Sequence, residues 1–127
     1  YVSNHGGRQL DHGRGAIELL PEIIAAVDGR ATVIFDGGCL RGTDVVKAVA
    51  LGAHAVGIGR LQCFGLAAAG EAGLVRVLEL LEDEIRICLG LLGVDRLGTL
   101  DRSYLHPASS VTLPHVTSAF PLLDEGY

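Results

Sequence analysis

Apolar residues fall along this chain in short continuous runs that alternate with longer runs at helical spacing. Residues 1–3 read as the end of a strand, followed at once by a polar, glycine-rich loop from Asn4 to Gly15. Ile17, Leu20, Ile23, Ile24 and Val27 recur at three- and four-residue intervals and predict a helix, with Pro21 near its start and Gly29 as its stop. The run from Thr32 to Phe35 predicts a short buried strand that ends in Asp36-Gly37-Gly38. Thr43 or Asp44 can open a second helix carrying Val45, Val46, Val49 and Leu51, closed by Gly52. The run from Ala55 to Ile58 predicts another buried strand, ending in Gly59-Arg60. A long helix is expected from Glu71 to Leu92, with Leu74, Val77, Leu78, Leu81, Ile85, Cys88, Leu89 and Leu92 as its inward stripe. Gly93 should end it, and residues 95–101 allow one short helix.

Short strands that are apolar on both faces and alternate with helices predict a parallel sheet covered by helices. Each strand ends in glycine plus a polar or charged residue. In a (β/α)8 barrel, active sites are built at that end of the strands. The expected fold class is therefore α/β: the C-terminal portion of a TIM (β/α)8 barrel, about strands 6–8 with their helices. A complete barrel takes about 250 residues, and this chain has 127. The expectation is that an N-terminal half, from the same gene product or a separate chain, completes it. The barrel portion is expected over 1–102. Residues 103–127 carry three prolines and many Ser and Thr, and are expected to form an irregular tail.

Composition narrows the function. The formal net charge is −5 and no basic stripe is present, which argues against nucleic acid as a partner. The three cysteines, Cys39, Cys63 and Cys88, are odd in number and lack a CxxC pair, so free thiols are expected, with Cys88 in a core stripe. No metal site is expected, since no HExxH or comparable cluster occurs. No stretch has the length and flanks of a transmembrane span. No signal peptide is read, and the expected compartment is the cytoplasm.

Candidate chemistry collects at the strand ends. His5 could act as a general base, its ordinary pKa lying near neutrality; a surface or core histidine is the plainer alternative. Arg8 offers a planar fork that suits a carboxylate, or a structural ion pair. Asp11 could pair with it or hold the loop. Asp36, Gly37 and Gly38 allow a ligand to approach the backbone, and the N–H groups there could cradle a phosphate. Gly59 and Arg60, one strand later, add a charged partner. Two neighbouring strand ends meeting at one phosphate is what the last strands of a barrel provide. His54 reads as structural, and His12, His106 and His115 carry little signal.

Three stretches, SNHGGRQLD (3–11), FDGGCLRGTDVVKAVALGAHAVGIGR (35–60) and FGLAAAGEAGLVRVLELLEDEI (64–85), resemble the FMN-dependent α-hydroxy-acid oxidase and dehydrogenase family. That family includes glycolate oxidase, lactate oxidase, mandelate dehydrogenase and flavocytochrome b2. The resemblance runs from residue 2 to about residue 100. It implies FMN as cofactor and a small-molecule (S)-2-hydroxy acid as substrate, oxidised to the 2-keto acid. His5 resembles the family's base and Arg8 one of the arginines that hold the substrate carboxylate. Asp36, Gly37, Gly38, Arg41, Gly59 and Arg60 fall at cofactor-binding positions. Electrons would pass to oxygen or another acceptor, and a homo-oligomer is expected. The family usually reads DGG, any residue, then Arg-Arg-Gly. Here Leu40 stands in the place of the first arginine, with Arg41 next in line. That departure and the unusual tail leave room for a non-standard, larger or peptide-derived substrate. A non-catalytic assembly half is the further alternative, and the presence of both His5 and Arg8 argues against it.

Overall fold

A computed structural model describes residues 1–9 and 13–108. Helix α1 (Ala16–Val27), strand β1 (Ile34–Asp36), helix α2 (Gly42–Ala50), strand β2 (Ala55–Gly57) and helix α3 (Arg60–Leu92) follow in that order, with three-residue 3₁₀ turns at His5–Gly7, Leu97–Thr99 and Arg102–Tyr104. β1 and β2 are parallel, with Ile34 opposite Ala55, Phe35 opposite Val56 and Asp36 opposite Gly57. Val2 lies on the other side of β1 as a parallel bridge to Phe35. Its N–H donates to the Ile34 carbonyl and its carbonyl accepts from Asp36 N, both at 2.8 Å. The expected strand at residues 1–3 thus exists as a single bridged position. The fold is α/β with a small open parallel sheet, as in part of a (β/α)8 barrel.

Alternation along the strands sorts the two faces. Val2, Val33 and Phe35 point to one side and pack with Ala16, Leu20, Cys39, Ala48 and Ala53, so α1 and α2 cover that face. Tyr1 and Asp36 meet on the other. A second cluster, Val46, Ala50, Leu89 and Leu100, joins α2 to α3 and is flanked by Ile85, Cys88, Leu97 and Leu105. Cys88 therefore packs beside a core, as its place in the helical stripe predicts. Leu105 joins the same cluster, so packing continues past residue 102. The rest of the expected tail, residues 109–127, lies outside the described residues.

Three boundaries differ from the sequence reading. α1 starts at Ala16, which puts Pro21 in its second turn rather than its first. The reversal that ends it uses two left-handed residues, Asp28 (φ 47°) and Gly29 (φ 68°). α3 begins at Arg60, directly after Gly59, and is broken at Ala69 (φ −155°) and Gly70 (φ 58°, ψ −139°). The expected helix from Glu71 is its second limb. The first limb was missed because its residues 65–70 are mostly glycine and alanine and show no apolar period. The limbs fold back closely: a Cβ on Gly65 would lie 2.8 Å from the Gly73 carbonyl oxygen. Of the predicted inward stripe, Leu81 and Leu89 are buried, while Leu78 (52% exposed) and Leu92 (36%) face outward.

Candidate functional site

The turn at His5 is written into the sequence Ser3-Asn4-His5-Gly6-Gly7. Ser3 Oγ accepts from His5 N at 3.1 Å and Asn4 Oδ1 accepts from Gly6 N at 3.0 Å. Serine and asparagine side chains favour such turns by bonding the backbone two residues on. His5 (φ 53°), Gly6 (φ 69°) and Gly7 (φ 78°) are all left-handed. A non-glycine residue in that region is uncommon, and here two side chains hold it there. The His5 ring is exposed, with Nδ1 2.9 Å from Gln9 Oε1. In the tautomer that carries its hydrogen on Nδ1, that nitrogen donates to the amide oxygen and Nε2 faces away from Gln9.

The C-terminal ends of the three parallel segments enclose a cavity of about 490 Å³. A volume of this size suits a cofactor or a substrate. His5 and Arg8 line it from the first loop, Asp36, Gly37, Gly38, Cys39 and Leu40 from the second, and Gly57, Gly59 and Arg60 from the third. Gln62, Cys63 and Phe64, in the first turns of α3, complete one wall. These three were not read from the sequence. A helix starting directly after Gly59-Arg60 is the signal that would have placed them at the strand ends.

One part of the cavity leaves backbone N–H groups and a guanidinium open to a ligand. Gly38 (φ 76°) and Gly59 both have open space where a Cβ would stand, so ligand atoms can reach the backbone there. α3 starts beside them, and its first N–H groups lack partners within the helix. Arg60 stands at that N-terminus. Its guanidinium carbon lies 3.9 Å from the place of a Cβ on Gly6, so the same arginine reaches the His5 turn. Glycines that leave room, a helix N-terminus and one guanidinium are the donor set a phosphomonoester needs. These residues fit the phosphate end of FMN.

Arg41 is placed elsewhere. Its Nε and Nη2 both lie 2.7 Å from Glu84 Oε1, on α3. Leu40 is the side chain from this pair that lines the cavity. Cys39 is buried, and desolvation, helped by the charges of Asp44 and Asp36, pushes its thiol up to about 11. His54 acts as structure: its Nδ1 accepts from Val33 N at 3.1 Å and its own N donates to the Val33 carbonyl at 2.9 Å. Asp11, His12 and His115 lie outside the described residues. Among the described residues there is no group of three or more metal-ligating side chains. Nor is any helix among them long and apolar enough to cross a membrane.

Glycines with open Cβ positions, a helix N-terminus and a histidine–arginine loop thus stand together around one cavity at the ends of parallel strands in an α/β unit. Residues 1–107 match the FMN-dependent dehydrogenase family, and the chain belongs to that family. It is 51% identical over 105 residues to an L-lactate oxidase of Nostoc sp., covering 83% of this chain and 29% of that protein. It is 52% identical over 101 residues to a 4-hydroxymandelate oxidase of Amycolatopsis orientalis (80% and 28%) and 49% over 102 residues to human 2-hydroxyacid oxidase 1 (80% and 28%). A solved mandelate oxidase with benzoyl-formic acid superposes with a TM-score of 0.74 at 53% identity, over 77% of this chain and 29% of that one. The chain thus spans less than a third of the length of the relatives it matches.

Proposed function

We propose that this chain forms the catalytic and phosphate-binding end of an FMN-dependent enzyme that oxidises a 2-hydroxy acid to the 2-keto acid. The observation that carries the reading is that one cavity joins His5, Arg8 and Arg60, in a chain about half identical to lactate, 4-hydroxymandelate and other 2-hydroxy-acid oxidases. Its strands take the places of barrel strands 6–8, and an N-terminal half supplies the other strands and the remaining pocket wall. Gly38, Gly59 and Arg60 hold the cofactor phosphate, with Asp36 and Gly37 beside them. The bond to Glu84 supports leaving Arg41 out of that set. When bound, FMN supplies the acceptor for the two electrons that leave with the substrate α-hydrogen.

The chain's own residues do the rest. Arg8 binds the substrate carboxylate with its planar fork. That contact turns the α-carbon and its hydroxyl toward His5. In the tautomer whose Nδ1–H donates to Gln9, Nε2 is the nitrogen that takes the hydroxyl proton as the carbonyl forms. The imidazolium that results stays within reach of the Gln9 oxygen. The relatives named here are oxidases, which favours oxygen as the final acceptor. A homo-oligomer in the cytoplasm is part of the same proposal; three free cysteines suit a reducing compartment.

The test is anaerobic addition of L-lactate, glycolate or (S)-mandelate to the holoprotein. The expected result is loss of the flavin's visible absorbance with at least one of them. In His5→Ala the flavin should remain bound and stay oxidised. Reduction of the His5→Ala protein at the wild-type rate would remove His5 from the mechanism.

A further inference from the structure

Tyr1 and Asp36 come from neighbouring parallel segments and meet on the face of the sheet turned away from α1 and α2. The Tyr1 hydroxyl donates to Asp36 Oδ2 at 2.9 Å. The contact needs Gly57, which stands opposite Asp36 in the sheet. A Cβ there would lie 2.6 Å from the Tyr1 hydroxyl and 3.2 Å from Asp36 Oδ2. Three adjacent segments thus supply a donor, an acceptor and the space in which they meet. The Asp36 carboxylate raises the Tyr1 phenol above its ordinary pKa, first through this hydrogen bond, with desolvation and the carboxylate charge adding to it. Tyr1 therefore stays a donor across the neutral range.

Asp36 also lines the cavity, beside the glycines that leave room for an anion. An ionised carboxylate only accepts hydrogen bonds and repels a phosphate. What it can receive from a ligand whose phosphate lies at Gly38, Gly59 and Arg60 is an uncharged hydroxyl near that phosphate. We propose that Tyr1 is a positioning residue: it occupies Asp36 Oδ2 and so fixes Oδ1 as the acceptor for a hydroxyl of the cofactor's polyol chain. The inference rests on the FMN reading given above. It assigns Tyr1 a role in cofactor affinity that acts entirely through Asp36.

The experiment is titration of the apoprotein with FMN, followed by flavin fluorescence, in wild type, Tyr1→Phe, Asp36→Ala and the double variant. Inorganic phosphate is titrated in parallel through its effect on thermal unfolding. Tyr1→Phe should weaken FMN binding about threefold to tenfold, the range for one ordinary net hydrogen bond, since Tyr1 acts on the ligand only through Asp36. Phosphate binding should be unchanged. The double variant should bind FMN no more weakly than Asp36→Ala alone. Unchanged FMN affinity in Tyr1→Phe overturns the proposal whatever the melting temperature does. So does equal weakening toward FMN and phosphate, which would mark Tyr1 as merely structural, and so does full additivity with Asp36→Ala. Failure of the wild-type protein to bind FMN at all would overturn the cofactor reading together with this one.

Discussion

Glu84 caps Gly42. From α3 its Oε2 accepts the Gly42 amide hydrogen at 2.6 Å, while Oε1 takes the Arg41 guanidinium. One carboxylate thus serves both an unpaired N–H at the start of α2 and the residue before it. Removing it should cost more than an exposed ion pair does, because the backbone donor of buried Gly42 is left unpaired. Glu84→Ala should destabilise the fold by about 1–2 kcal/mol. The carboxyl lies below its ordinary pKa of 4.5, mainly through the Gly42 N–H and then through Arg41, against an opposing desolvation. A depressed folded pKa means the stabilisation is complete above the unfolded value and fades as pH falls through the folded one. Glu84→Gln should therefore flatten the acid limb of the stability curve below about pH 4.5, read by urea melts across pH.

Gly42 itself tolerates no side chain. A Cβ there would lie 2.5 Å from the Glu84 Cβ and 2.7 Å from both Ile85 N and the Leu81 carbonyl oxygen. Two of those neighbours are helix backbone and cannot turn aside. Gly42→Ala should destabilise by about 1–3 kcal/mol through overpacking. Gly90 is the contrast: it is exposed near the end of α3, with nothing within 4 Å of its Cβ position. Gly90→Ala should stabilise by about 0.5–1 kcal/mol. Thermal melts of the two variants should move in opposite directions.

The same contrast explains what the sequence could and could not reveal. Phe35 and Val46 are buried where short apolar runs and helical spacing put them, because burial is what those patterns record. The loop after residue 3 was legible as a polar, glycine-rich run; the turn at His5 within it was not read, although Ser3 and Asn4, which bond two residues along, are its local signal. Contacts set by distant chain positions left no local trace. Arg41 was placed among the cofactor residues by the family resemblance; its bond to Glu84, over forty positions away, had no local sign in the sequence. The Tyr1–Asp36 bond, across 35 positions, was likewise invisible. The outward turn of Leu78 and Leu92 has a similar cause: periodicity gives a helix's apolar side, and only the packed partner decides how wide that side is.

Cys39 and Cys63 line the same cavity but differ in exposure. The thiolate is the reacting species. Burial and two nearby carboxylates push Cys39 up to about 11, so it is almost wholly protonated at neutral pH. Cys63 is exposed. Iodoacetamide at pH 7.5 should label Cys63 well before Cys39, as peptide mass mapping would show. FMN in the cavity should slow that labelling at least severalfold. Equal labelling with and without FMN would separate Cys63 from the cofactor site.

Gly59 offers the sharpest test of the phosphate cradle. Gly38 is a poor place to add bulk, since its φ of 76° would strain any side chain and confuse loss of ligand with loss of fold. Gly59 has φ −100° and no heavy atom near its Cβ position, so a side chain there meets only the cavity. Gly59→Leu should leave the apoprotein folded, with a melting temperature close to that of wild type. The leucine would fill the space in front of the α3 N-terminus and Arg60, where the phosphate is proposed to sit. FMN affinity should then fall by at least about 100-fold, the scale expected when a charge-assisted set of hydrogen bonds is lost at once. A Gly59→Leu protein that purified with its full complement of flavin would place the phosphate elsewhere and leave Arg60 without its proposed role.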